Sequence, residues 1–532
     1  MAATIKLKRG TSTPSTSDIV SGEVAIDTSA KKLYINDSGT VKEIGGGGGG
    51  VTSDNYRNTI AGTNAGDSLD GDSATIDNTF FGYDAGTDIT DGTKNTFIGS
   101  YAGSNTNSGT YLNTFIGYQA GVNNGNGHQN TGIGYNVLAQ NEAWSNVAIG
   151  NNTGEDNTTG TKNVFLGRSA AMNNTTGSNS IAIGHEALKT NTTGSDIVAI
   201  GYEAHKSGGD KARNVAIGTG VLSQGAGNWN VAIGWEACKW QTGQQNVAIG
   251  IWALHYGNTC DYNTAVGAWA MSGNSGSPST GDNNTALGFE ALKAYDTASN
   301  SVAIGYQALK SNETIGNQTA IGYKASYSHN GTSIEPNTTV GYQAGYSGTT
   351  TERLTAVGHE AAYSMTTASW NTAYGYKSLR SCTTAGQNTA IGGLAAEYAT
   401  GSSNTALGYK AYNGVSGSTA GHNNTVIGEK ASENATSMAS CTVVGYRAGR
   451  DLTSGSNNTI IGEQAGNSGT NDLTTGGNNI LIGHDAAASA ADVSNEITLG
   501  DTNITKFRVP GLGFELNTDS SNGFILDFGS IA

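Results

Sequence analysis

One glycine recurs along most of this chain at nearly constant spacing, and no other feature constrains the fold as tightly. It stands at Gly62, Gly82, Gly99, Gly117, Gly134, Gly150, Gly167 and Gly184, and continues through Gly250 and Gly305 to Gly500. Most intervals are 16 to 18 residues. The longer ones, such as Gly267 to Gly288 and Gly462 to Gly483, gain Ser, Gly, Asn, Asp and Thr. The chain is therefore roughly 26 copies of one unit of about 17 residues, with insertions carried in loops.

The core of the unit reads Asn-(Thr/Val)-Ala-Ile-Gly-Tyr. In Asn246-Val247-Ala248-Ile249-Gly250 the apolar run is too short and too β-branched for a helix, and the Asn and Gly that bracket it predict a short strand. Alternation puts Val247 and Ile249 on one face and Ala248 and Gly250 on the other. The bulky face is expected to fill a coil, and the Ala/Gly face to press against another backbone, most simply that of a second chain. On this reading Ile149, Gly150, Ile183, Gly184, Ile249, Gly250, Ile304 and Gly305 are core repeat positions. Spacers such as Asn173 to Asn179 supply the turns, because Asn and Gly tolerate left-handed backbone angles. Stacking pairs each strand's N–H and C=O groups with the next coil, so the number of repeats is itself the source of stability. At one strand spacing of roughly 4.8 Å per unit, about 25 steps give a rod on the order of 120 Å long.

Composition narrows the function classes. Glycine makes up 79 of 532 residues without a Gly-X-Y period, which excludes collagen, while the regular apolar pulses exclude disorder. With 42 acidic against 27 basic side chains, the net charge of -15 repels a phosphate backbone, so no nucleic-acid partner is expected. No apolar stretch approaches the length of a membrane span, and Met1 to Lys6 lacks the apolar core of a signal peptide; synthesis in a cytoplasm without membrane insertion is expected. Cys238, Cys260, Cys382 and Cys441 match neither a zinc pattern nor a disulfide framework and read as reduced, buried small residues.

Candidate binding residues are few. Trp229, Trp235, Trp240, Trp252 and Trp269 fall within about two and a half repeats, and exposed indoles are platforms for sugar rings. Tyr follows the repeat glycine at positions such as Tyr83, Tyr118, Tyr306, Tyr323, Tyr342 and Tyr376, which predicts an aromatic ladder of structural character. His185, His359 and His484 share that position but lie in distant coils, so no metal cluster is expected. Asp84, Glu186, Glu203, Glu236, Glu290 and Glu360 recur two residues after the glycine. Adjacent coils could bring such carboxylates within about 5 Å, a separation retaining glycosidases use, but with no cleft they read as exposed solubilising charges. No catalytic, cofactor or metal residue is assigned, and the chain is not expected to be an enzyme.

Asn300-Ser301-Val302-Ala303-Ile304-Gly305 and Asn179-Ser180-Ile181-Ala182-Ile183-Gly184 resemble the head repeat of YadA-like trimeric adhesins. The resemblance implies a trimeric parallel β-roll, although the units here are longer, and a related β-helix stays open. Ile5 to Thr11, Gly22 to Asp27 and Lys32 to Ile35 resemble a small N-terminal module of bacteriophage tail fibres and tropism determinants, which implies a virion-proximal anchor. Asn495 to Gly500 resembles the junction that precedes a cleavable intramolecular chaperone in some phage fibres and tailspikes.

The organisation expected is an attachment module over residues 1–44, a glycine-rich linker over 45–53 with Gly45 to Gly50 as a flexible joint, a β-coil shaft over 54–500, and a C-terminal cap or tip over 501–532. The fold class is all-β, an elongated homotrimeric fibre of parallel β-roll or β-helix coils. The function implied is a phage tail fibre that adsorbs to a bacterial surface polysaccharide, held through its N-terminus by a virion tail or baseplate protein. A passive spacer and a trimeric tailspike depolymerase are the alternatives.

Overall fold

A computed structural model describes residues 8–21, 23–29, 32–38, 40–44, 51–69, 75–107, 109–276, 279–331, 335–417, 421–469, 471–509, 514–519 and 523–527. The expected joint at Gly45 to Gly50 and the first seven residues lie outside them. The described residues are all-β, with no helix, and fold as a parallel β-solenoid with repeats of roughly 17 residues. Two compact units are distinguished, Met1–Trp240 and Gln241–Ala532.

The coil that starts at Ile181 shows how each repeat is made. Its strand, Ile181–Ile183, pairs in parallel and without offset with Val198–Ile200 of the next coil: Ile181 faces Val198, Ala182 faces Ala199 and Ile183 faces Ile200. Gly184 ends the strand with φ 133°, a region open only to glycine, and a Cβ there would lie 2.4 Å from the carbonyl oxygen of Gly201. The recurrent glycine is thus required twice, by its own backbone and by the backbone stacked on it. Glu186 and Leu188 follow at φ 57° and 56°, left-handed angles that cost a non-glycine residue about 1–2 kcal/mol each. Their N–H groups bond to Arg168 and Ala204, one coil on either side, at 3.0 and 2.9 Å. An isolated coil would carry that strain without those bonds, so the coils hold one another in shape.

The strand's two faces are opposite to those expected from the sequence. Ala182 and its equivalents Ala148, Ala199, Ala216, Ala248 and Ala303 are fully buried inside the coil, whereas Ile149 and Ile249 lie outside, 38% and 37% exposed, with Ile183 and Ile304 half-buried beside them. The Ala side faces the coil's own interior, and the Val/Ile side faces out. The reason is the length of the turn. In the coils compared below, about 17 residues close around a middle that holds one large apolar side chain and one small residue, drawn from opposite sides.

That pairing is visible residue by residue. Where the strand centre is Ala182, Ala216 or Ala248, the second turn contributes Leu188, Leu222 or Leu254, all fully buried. Where the centre is Phe80, Phe97 or Phe115, the same turn position is Gly86, Gly103 or Gly121, whose added Cβ would meet the ring at 3.0, 2.4 and 2.4 Å. The phenylalanines stack along the interior, with centroids 5.2 and 5.4 Å apart. In these coils volume is kept while its source switches sides, as close packing requires.

The Asn before each strand has a structural task that bracketing residues do not reveal. The carboxamide oxygen of Asn130 accepts the N–H of Asn146, and that of Asn146 accepts the N–H of Asn163, both at 3.0 Å. Each amide NH2 also donates across the coil, Asn146 to the Gly160 carbonyl at 2.8 Å. A second internal ladder joins Asn124, Asn141, Asn157, Asn174 and Asn191 at 2.7 to 2.8 Å. These ladders satisfy buried backbone groups at the corners, where the strand pattern has ended.

Outside the coils, Lys8–Gly10 pairs in parallel with Val24–Asp27, which continues antiparallel into Lys32–Asp37 and Thr40–Ile44 around a small core of Ile19, Ala25 and Tyr34. Lys506–Val509, Phe514–Asp519 and Gly523–Asp527 form an antiparallel sheet after the last coil. No helix among the described residues is long and apolar enough to cross a membrane.

Candidate binding surface

With the coil interiors filled, the exposed side chains of the described coils fall mainly into a few outward columns, repeated once per coil. The first column holds the third residue of each strand. In the first unit it includes Ile98, Ile149, Leu166, Ile183, Ile200, Ile217 and Ile233, and in the second Ile249, Leu287, Ile304, Ile391, Leu407 and Ile461. The first strand residue forms a parallel column, apolar from Val147 to Val231 in the first unit and largely Thr from Thr264 to Thr459 in the second. The strands therefore present an apolar stripe to the exterior.

The residue after the repeat glycine makes the expected aromatic ladder. Phe289, Tyr306, Tyr323, Tyr342, His359 and Tyr376 follow one another with centroids 5.4, 5.2, 5.0, 4.8 and 5.4 Å apart. The first four steps are within 14° of parallel. In the first unit Tyr118 stacks on Tyr135, while Tyr101, two residues after its glycine, meets Tyr83 and Tyr118 edge-on. His185 stacks on Tyr202 at 5.6 Å, so His185 and His359 act as planar rungs, and His484 is exposed beside Asp485. No group of three metal-ligating side chains comes together among the described residues.

The carboxylates two residues after the glycine are not the free exposed charges expected. Glu186 bonds Lys189 at 2.7 Å within its coil and Lys206 at 2.5 Å in the next, and Lys206 also bonds Glu203 at 3.0 Å. Glu290 is held likewise by Lys293 and Lys310, and Glu360 by Arg380. The lysine hydrogen bonds draw Glu186 down to about 2; at Glu290 burial opposes, but Lys293, Lys310 and Gln307 still hold it at about 2. A carboxylate so firmly ionised is a poor general acid near neutrality. The signal for this in the chain is the Lys three residues after four of these acids, Glu186/Lys189, Glu203/Lys206, Glu236/Lys239 and Glu290/Lys293.

The five tryptophans occupy different registers. Trp252 and Trp269 come together at 4.5 Å, with Lys293 over Trp269 at 4.8 Å. Trp229 packs under Arg213 at 5.7 Å, and Trp235 and Trp240 are half exposed at other positions of their coil. All four cysteines are buried; burial pushes Cys260 and Cys382 up to about 11, so neither is a nucleophile at neutral pH.

The chain matches no protein-family model and no curated protein.

Proposed function

We propose that this chain is a homotrimeric bacteriophage tail fibre, attached to the tail or baseplate through its N-terminal sheet and adsorbing to a bacterial surface polysaccharide along its coils. The observation that carries this reading is the outward apolar stripe. A row of Val, Ile and Leu repeated coil after coil exceeds what a solitary soluble chain ordinarily leaves in water, and a second and third copy of the same row would cover it. Three copies also multiply weak contacts, so a long polysaccharide is held without a deep pocket. The virion assignment rests on the resemblance carried by residues 5–11, 22–27 and 32–35, and a position on the virion follows from it.

Competition tests the adsorption role. Purified chain added to susceptible cells is expected to occupy the receptor and slow phage adsorption in proportion to its concentration. Undiminished adsorption at saturating protein would leave the fibre a spacer, and release of shortened glycan from those cells would make it a depolymerase.

A further inference from the structure

One stretch of the second unit has two aromatic ladders side by side. The longer runs from Phe289 to Tyr376, and the second, five residues after the glycine, joins Tyr327, Tyr346 and Tyr363 at 5.2 and 5.1 Å, within 10° of parallel. Lys324 bridges them, its ammonium 5.4 Å from the Tyr323 ring and 5.2 Å from the Tyr327 ring. Lys310 and Arg380 close the shorter ladder at its two ends, 5.6 Å from Tyr327 and 5.5 Å from Tyr363, and Lys377 lies over Tyr376 at 5.0 Å.

The stretch is balanced in charge within an acidic chain, with six basic and six acidic side chains over residues 289–380. Over residues 289–380 the columns two and five residues after the glycine hold five cations, Lys293, Lys310, Lys324, Lys377 and Arg380, against two carboxylates, Glu290 and Glu360. Both carboxylates are already bonded, to Lys293, Lys310 and Arg380. Lys324 and Lys377 make no ion pair among the described residues. Their ammonium groups remain available, spaced along a row of phenol hydroxyls that repeats once per coil.

The stacking decides what chemistry such a surface can offer. A ring inside a parallel ladder has both faces covered by its neighbours and presents only its edge and hydroxyl, so sugars cannot stack on it. What remains is hydrogen bonding from phenols and the Gln343 amide, together with two ammonium groups outside any ion pair among the described residues. We propose that residues 289–380 form a track for an extended acidic polysaccharide lying along the coil stack, its carboxylates on Lys324 and Lys377 and its hydroxyls on the tyrosine edges. This deepens the adsorption reading and rests on it for the biological source of the glycan.

Affinity electrophoresis of the full chain through gels containing alginate, a polyuronate, tests the track. Retardation is expected, weakened at least about tenfold by K324Q/K377Q, given what a charge-assisted bond contributes, and unchanged by K94Q/K162Q at exposed lysines elsewhere. Q343K, which adds a cation to the same column, is expected to strengthen it, so the proposal stays testable if the double variant misfolds. Absent retardation, equal weakening by both double variants, no gain in Q343K, or equal retardation by neutral β-glucan or by single-stranded DNA would each overturn it. Cell binding measured in parallel separates the two readings. If wild type and K324Q/K377Q bind susceptible cells equally, the track is lost but adsorption stands.

Discussion

Phe97→Ala with and without Gly103→Leu probes the interior most sharply. Phe97 is fully buried and stacked between Phe80 and Phe115 at 5.2 and 5.4 Å, so truncation leaves a ring-sized void and costs about 3–5 kcal/mol. Gly103→Leu alone places a Cβ 2.4 Å from the ring, overpacking the coil by about 1–3 kcal/mol and adding left-handed strain of about 1–2 kcal/mol. Together the two recreate the Ala182/Leu188 pair, on a backbone already at φ 57° where Leu188 has 56°. The double variant is expected within about 2 kcal/mol of wild type, a coupling of several kcal/mol between neighbours. Hydrogen exchange over residues 79–121 is the assay, because coils of a solenoid open locally. Phe97→Ala should speed exchange there by about two powers of ten or more at 1.4 kcal/mol per decade, and the second substitution should reverse most of it. Additive losses would refute the claim that volume is traded across this coil.

Three further outcomes follow from the same geometry. Asn146→Leu should cost about 2–4 kcal/mol by stranding the Asn163 N–H and the Gly160 carbonyl, while Asn146→Ser should cost less, since Ser180 already accepts the Ile197 N–H at 3.2 Å; exchange rates of residues 131–167 report both. Gly250→Ala should cost about 2 kcal/mol or more, from a φ of 135° and a Cβ 2.6 Å from the Gly267 carbonyl, read as faster exchange over residues 247–267. Burial lowers His205 and His329 from 6.5 to about 4, so the unfolded chain binds more protons between those values and stability falls as pH drops from about 6.5 to about 4. Each contributes up to about 3 kcal/mol of that loss, and His205→Gln should flatten the pH dependence of thermal unfolding in the first unit.

Much of this fold was legible in the chain. The glycine register alone places the strands, since each three-residue strand from Thr79–Phe81 to Ile480–Ile482 ends just before a repeat glycine. The Tyr ladder followed from the same register. What the sequence left undecided was the sign of the strand's faces: alternation separates Ala248 from Val247 and Ile249 but does not say which side is inside. The bulk inside is supplied from the turn, where Leu188, Leu222 and Leu254 fill the coil beside the strand's Ala, so the strand's Val and Ile are left outside. The compensating pairs, Phe97 with Gly103 and Ala182 with Leu188, emerge only when positions six apart are compared between coils. The glutamates were misread for a related reason, because Glu186 finds Lys206 in the next coil, 20 residues along the chain.

The inverted faces and the trimer proposed from them meet in one measurement, native mass together with far-ultraviolet circular dichroism of wild type and of I183K/I200K/I217K. Wild type is expected at three times the chain mass, and the variant at one chain mass with its strand signal intact, because those side chains point outward. A wild-type monomer, a variant that remains trimeric, or loss of the strand signal in the variant would contradict the account.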